Sequence, residues 1–97
     1  MKPSAALQLH RDDIRRIVVE NDALNPRVFG SVVHGDDTEE SDLDILVDPI
    51  KGKTTLFSLA SIQLEIQDLT GVKTDVLTPM ALHERFRDKV LVEALPV

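Results

Sequence analysis

Residues Asp42 to Val47 read DLDILV, and this short run constrains the fold more than any other part of the chain. In a strand, residues i and i+2 share a face. Leu43, Ile45 and Val47 therefore look one way, while Asp42 and Asp44 project together the other way. A strand of this kind needs a sheet with one face under apolar cover and the other accessible. Two carboxylates held this close repel and raise each other's pKa, a penalty that a bound divalent cation removes. Mg²⁺ is hard, prefers oxygen, and is usually held by one or two carboxylates plus substrate phosphates. Taken alone, the same pair also suits a solvent-facing edge strand.

The rest of the chain narrows the context. Its 97 residues suffice for one small domain, read as residues 1–97, with a single core. With three Phe and no Trp or Tyr, that core is built from Leu, Ile, Val and Ala. The net charge is −6 and no Lys/Arg tract occurs, which argues against duplex nucleic acid as a ligand. Nucleotides remain compatible, because metal ions can hold them. The absence of cysteine removes disulfides and thiolate metal sites. No apolar run is long enough for a signal peptide or a membrane span, so a cytoplasmic location is expected.

Periodicity and punctuation predict the order helix, strand, strand, helix, strand, helix. Ser4–Asn21 reads as a helix ended by the NPR tripeptide, and a short strand begins at Arg27 and ends at Phe29. Gly35–Glu40 is polar turn material, and Asp42–Val47 is the second strand. Thr54 or Thr55 is placed to cap a helix with Leu56, Leu59, Ile62, Ile66 and Leu69 on one stripe, stopped by Gly71. Lys73–Leu77 is the third strand. Thr78-Pro79 reads as the start of a last helix running to about Ala94, with Leu82, Phe86, Val90 and Ala94 at intervals of four. The fold class is α/β (α+β), a small mixed sheet with helices mainly on one face. So few aromatics predict an uncovered apolar helix face and association with a partner or a second copy.

Chemistry converges on the strand ends. Gly30 allows close backbone approach to a phosphate, and Ser31 adds a hydroxyl and an amide donor. Asp75, in the strand KTDVL, is the candidate third carboxylate of a two-metal site and the candidate base for an incoming hydroxyl. Asp36, Asp37, Glu39 and Glu40 read as a solvated loop, and Asp48 as a turn residue. The GKTT run at Gly52–Thr55 is not a P-loop, since Val47 occupies its first glycine position; Lys51 and Lys53 read as solvated. His10 and His83 lack partners spaced as zinc ligands and read as surface or interface residues.

The stretch GSVVHGDDTEESDLDILV resembles the signature of the DNA polymerase β-like nucleotidyltransferases, and more narrowly the minimal nucleotidyltransferases that pair with HEPN proteins as toxin–antitoxin systems. The segment from Thr54 to Val97 is similar to that family's middle helix, third strand and closing helix. The resemblance implies a polymerase β-like nucleotidyltransferase fold. It implies that Gly30, Ser31, His34 and Ser41 contact the nucleotide, and that Asp42, Asp44 and Asp75 hold Mg²⁺, as two ions. It further implies transfer of AMP from ATP to a tyrosine hydroxyl of a HEPN RNase toxin, with the chain as antitoxin. Many relatives carry Arg where this chain has His34, a side chain only partly charged near neutral pH. The competing expectation is a binding module that neutralises its partner by occlusion. Transfer to a small molecule ranks below both, because it usually needs a further domain to hold the acceptor.

Overall fold

The computed structural model describes all 97 residues. Helix α1 spans Pro3–Glu20, with proline at its start and a local departure from helical geometry at His10. It buries Ala6, Leu7, Ile14, Ile17 and Val18 on one stripe, as the apolar spacing requires. Strand β1 runs Ala23–Phe29 and so begins four residues earlier than the sequence predicts. The NPR segment does not separate helix from strand but lies inside β1 as a bulge. The register with the next strand shifts between Leu24 and Arg27, and Asn25 has a φ of 52°. A bulge is one of the few places a strand accepts proline.

A single helical turn, α2 (Ser31–His34), follows Gly30 directly. Strand β2 covers Leu43–Pro49, leaving Asp42 just outside its first residue. Helix α3 (Leu56–Thr70) starts on a capping box in which Thr55 accepts from the Ser58 amide, and it ends at Gly71 in the left-handed region. Both signals were legible in the sequence, and the cap is worth about 1 kcal/mol. The predicted stripe is buried only at its centre. Ile62 and Ile66 are fully enclosed, whereas Leu56 lies in solvent and Leu69 is partly exposed. Strand β3 is Thr74–Leu77.

The C-terminal segment departs most from expectation. A 3₁₀ turn at Pro79–Ala81 precedes a break, and helix α4 spans only Glu84–Glu93. His83 lies on the surface, as read from the sequence, and its Nδ1 also caps α4 by accepting from the Arg85 amide at 3.0 Å. Arg87 is committed internally too, donating to the carbonyls of Pro79 and Leu82. A two-residue strand β4 (Leu95–Pro96), too short to leave a period in the sequence, then pairs with β1.

The sheet order is β3-β2-β1-β4. β1 and β2 pair antiparallel, β2 and β3 parallel through the α3 crossover, and β1 and β4 antiparallel. The main core lies between the sheet and helices α1 and α3. It includes Val28, Leu43, Ile45, Val47 and Val76 from the strands with Ile14, Val18, Ile62 and Ile66 from the helices. α4 contributes no buried residue. No helix is long and apolar enough to cross a membrane.

Candidate active site

The register sets one row of residues across the face of the sheet opposite α1 and α3. Phe29 of β1 pairs with Asp44 of β2, and Asp44 pairs with Asp75 of β3. Directly paired residues share a face, so both carboxylates stand side by side on strands about 4.8 Å apart. Asp42, one residue before β2, is the third acid. Lys73 Nζ lies 3.7 Å from its carboxylate in a largely exposed pair.

Asp44 shows the electrostatic cost of this packing. Its carboxyl is pushed up to about 6, first by burial and then by the negative charges of Asp75 and Asp42. Lys73 compensates Asp42, but no cation compensates Asp44. A positive charge brought close to it would favour the ionised form.

Gly30 explains how Asp44 fits. The glycine has a φ of 76°, and a Cβ placed there would stand 2.3 Å from Asp44 Oδ2. The missing side chain therefore does two things: it allows the sharp exit from β1 into α2, and it leaves room for the carboxylate against the backbone. Ser31 opens α2 immediately afterwards. Ser41, by contrast, is occupied in closing the loop, where its Oγ accepts from the Thr38 amide at 2.9 Å. The acidic loop is not wholly solvated either, since Asp37 accepts from the Ser4 amide at 2.9 Å. That contact holds the Asp37 carboxyl below its usual range. Asp48 lies within β2 rather than in a turn and pairs with Arg27 at 3.0 Å.

The residues fit a divalent ion in a limited sense. No three acidic or histidine side chains converge closely enough to enclose one by themselves. The donors are hard carboxylate oxygens, Asp44 lacks a countercharge, and an ion of the Mg²⁺ type takes its remaining ligands from phosphate and water. The arrangement is an open half-site, not a closed cage.

His34 turns toward α4, where its Nε2–H donates to Glu93 at 2.8 Å. Beyond this pair lies a cavity of about 200 Å³. Phe29 and Gly30 form its inner wall, and Phe86 and Val90 of α4 form the outer one. Sequence reasoning missed this feature. Phe86 read as one member of an apolar stripe, and no local pattern links Glu93 to a histidine 59 residues earlier.

The family model of the nucleotidyltransferase domain matches residues 11–97. A candidate protein adenylyltransferase of Methanocaldococcus jannaschii is 33% identical over 81 residues, covering 84% of this chain and 86% of the relative. The solved structure of a candidate minimal nucleotidyltransferase superposes with a TM-score of 0.85 at 36% identity, over 97% of this chain and 95% of the other. The fold also recurs at 14% identity and a TM-score of 0.67 in the complex of a tri-AMPylated Shewanella oneidensis HEPN toxin with MNT antitoxin, over 92% of this chain and 69% of the other. With the family model matched over residues 11–97 and a relative 33% identical over most of both chains, the chain belongs to the nucleotidyltransferase domain family.

Proposed function

We propose that the chain transfers AMP from ATP to a tyrosine hydroxyl of a HEPN-type toxin and thereby acts as its antitoxin. Nucleotidyl transfer is the reaction of the family; the donor, acceptor and partner are our reading. One observation carries it: Asp44, with a carboxyl raised to about 6, stands in register with Asp75 and occupies the space that Gly30 leaves. A carboxyl raised by burial and by like charges at an open sheet end is a candidate for cation binding.

In this reading Gly30 and Ser31 would receive the triphosphate, and Asp42, Asp44 and Asp75 would supply carboxylate oxygens to Mg²⁺, with phosphate and water as its remaining ligands. The metal, when bound, would neutralise phosphate charge and make the acceptor hydroxyl easier to deprotonate. The acceptor oxygen attacks the α-phosphorus as its bond to the pyrophosphate oxygen breaks. Asp75, on the outer flank of the row, would take the hydroxyl proton in this reading. Pyrophosphate leaves, and AMP remains esterified to the acceptor. His34 is less suited to grip a phosphate than the arginine of many relatives, because its ring is engaged by Glu93. The exposed Phe86, Leu91 and Val92 of α4 supply apolar surface suited to a protein partner.

The test is to incubate the chain with Mg²⁺, ATP labelled on the α-phosphate, and the product of the neighbouring reading frame. Label on a partner tyrosine, absent with Asp42→Asn/Asp44→Asn, is the expected result. Full protection of cells by that double variant would instead make occlusion the mechanism.

A further inference from the structure

The outer face of α3 takes no part in the sheet packing or in the acidic row. Leu56, Phe57, Ala60 and Leu64 lie on it, and all four are exposed. Their spacing puts them on the side of the helix away from Ile62 and Ile66, which are fully buried. No large apolar side chain is more exposed than Phe57, at 85%. A helix that packs one face on a sheet ordinarily gives its other face to polar residues, but α3 is apolar on both. We propose that this outer face pairs with the same face of a second copy of the chain. The two α3 helices run antiparallel across a two-fold axis beside Ala60 and Ser61.

Charge selects a second copy as the occupant. Lys53 stands just before the helix and Asp68 in its last turn, both exposed and neither in a salt bridge. That order runs against the helix dipole, which favours acids at the N-terminus and cations at the C-terminus. The first turn of α3 has no acid and its last turn no base. In an antiparallel pair the ends are exchanged, so each Lys53 meets the Asp68 of the other copy.

A two-fold interface must also be self-complementary, with residue i on j and j on i. One register meets this condition throughout. When Ala60 faces Ser61 of the other copy, Phe57 faces Leu64 and Lys53 faces Asp68. Ala60 and Ser61 are small, so the helices approach closely enough for Phe57 to reach Leu64. The core under α3 and the row of Asp44 and Asp75 lie on opposite faces of the sheet. Pairing through α3 therefore leaves both acidic rows open, turned away from the axis. α3 has 15 residues, a length of about 22 Å. One helix pair of that length buries less than the roughly 1,200 Å² of a standard interface, so the dimer is reversible and micromolar.

The test is sedimentation velocity on the whole chain without nucleotide, from low to high micromolar concentration. Interference optics read it, as the chain has no Trp or Tyr. Wild type should pass from monomer to dimer across this range. Phe57→Glu should stay monomeric throughout, with an unchanged urea midpoint because the side chain is exposed. Lys53→Glu and Asp68→Lys should each weaken the dimer about fivefold, as both ion pairs turn repulsive. An equimolar mixture of these two variants should recover wild-type association, since each copy then supplies the charge the other lacks. General charge repulsion predicts the reverse for Asp68→Lys, which lowers the net negative charge and would tighten association.

A wild type that stays monomeric overturns the proposal, and so does a dimer that survives Phe57→Glu. A mixture no better associated than the single variants overturns the antiparallel register. If wild type is monomeric alone and Phe57→Glu loses binding to the product of the neighbouring reading frame, the face belongs to that protein and the second copy is the wrong occupant.

Discussion

The two faces of the sheet differ by a single residue of register. Val28, Ile45 and Val76 form one row, and Phe29, Asp44 and Asp75 form the next. The first row is buried under α1 and α3, with Ile45 at 0% exposure. The second carries two carboxylates on the opposite face, with one of them raised to about 6. Period-two alternation lets one set of strands do both jobs. The covered face fixes the register strongly, because a slip by one residue would bury Asp44 and Asp75 among the helices. That same register holds the acids together against their repulsion.

The largest effect should come from breaking the acidic row where it meets the backbone. Gly30→Ala puts a methyl where Asp44 Oδ2 now lies, and Asp44→Asn removes the charge without changing the shape. Each should lower nucleotidyl transfer on the order of 10²–10³-fold, the usual scale for losing one preorganised electrostatic group. Single-turnover labelling reads this directly. Near-wild-type transfer by Gly30→Ala would mean that the carboxylate works from another position, and the contact with Gly30 would lose its meaning.

On the covered face the expected losses are of stability. Ile45→Ala deletes a fully enclosed side chain next to Asp44, and such a cavity costs about 2–5 kcal/mol. Urea unfolding should show a lower midpoint with an unchanged slope. Where the variant remains folded, its transfer rate should fall far less than with either substitution at Gly30 or Asp44. An equal loss of rate would show that the two rows are not separable.

Sequence alone could distinguish these rows because each strand carries its own alternation. Asp42, Asp44 and Asp75 were legible, as were the Gly-Ser turn, the Thr55 cap and the Gly71 stop, all short-range signals. What escaped depends on contacts between distant segments. β4 has two residues and exists only because β1 offers it a partner. The β1 bulge hides behind Pro26, which by itself reads as a breaker. The periodic run after Pro79 does not show that Leu82 leaves the helix, nor that His83 caps a new one. The cavity joins Phe29, Gly30 and His34 to α4, so nothing near either segment announces it.

The smallest expected effect is also the sharpest comparison, because Asp44→Asn should improve one property as it destroys another. In the folded chain Asp44 titrates at about 6, against an ordinary value of 3.8. Between those pH values the folded state binds more protons at this site than the unfolded state. Stability therefore falls as pH rises from about 4 to about 6, and the whole penalty is present above that window. The full shift corresponds to about 3 kcal/mol, which partial exposure and screening reduce to about 1–2 kcal/mol. Without Mg²⁺, Asp44→Asn should match wild type near pH 4 and exceed it by this amount at pH 7.5, as read by thermal or urea unfolding. Added Mg²⁺ should narrow the gap by stabilising wild type alone. A variant less stable than wild type at pH 7.5 would mean that Asp44 is held by structural contacts, and the contrast between the two faces would then be one of shape rather than of charge.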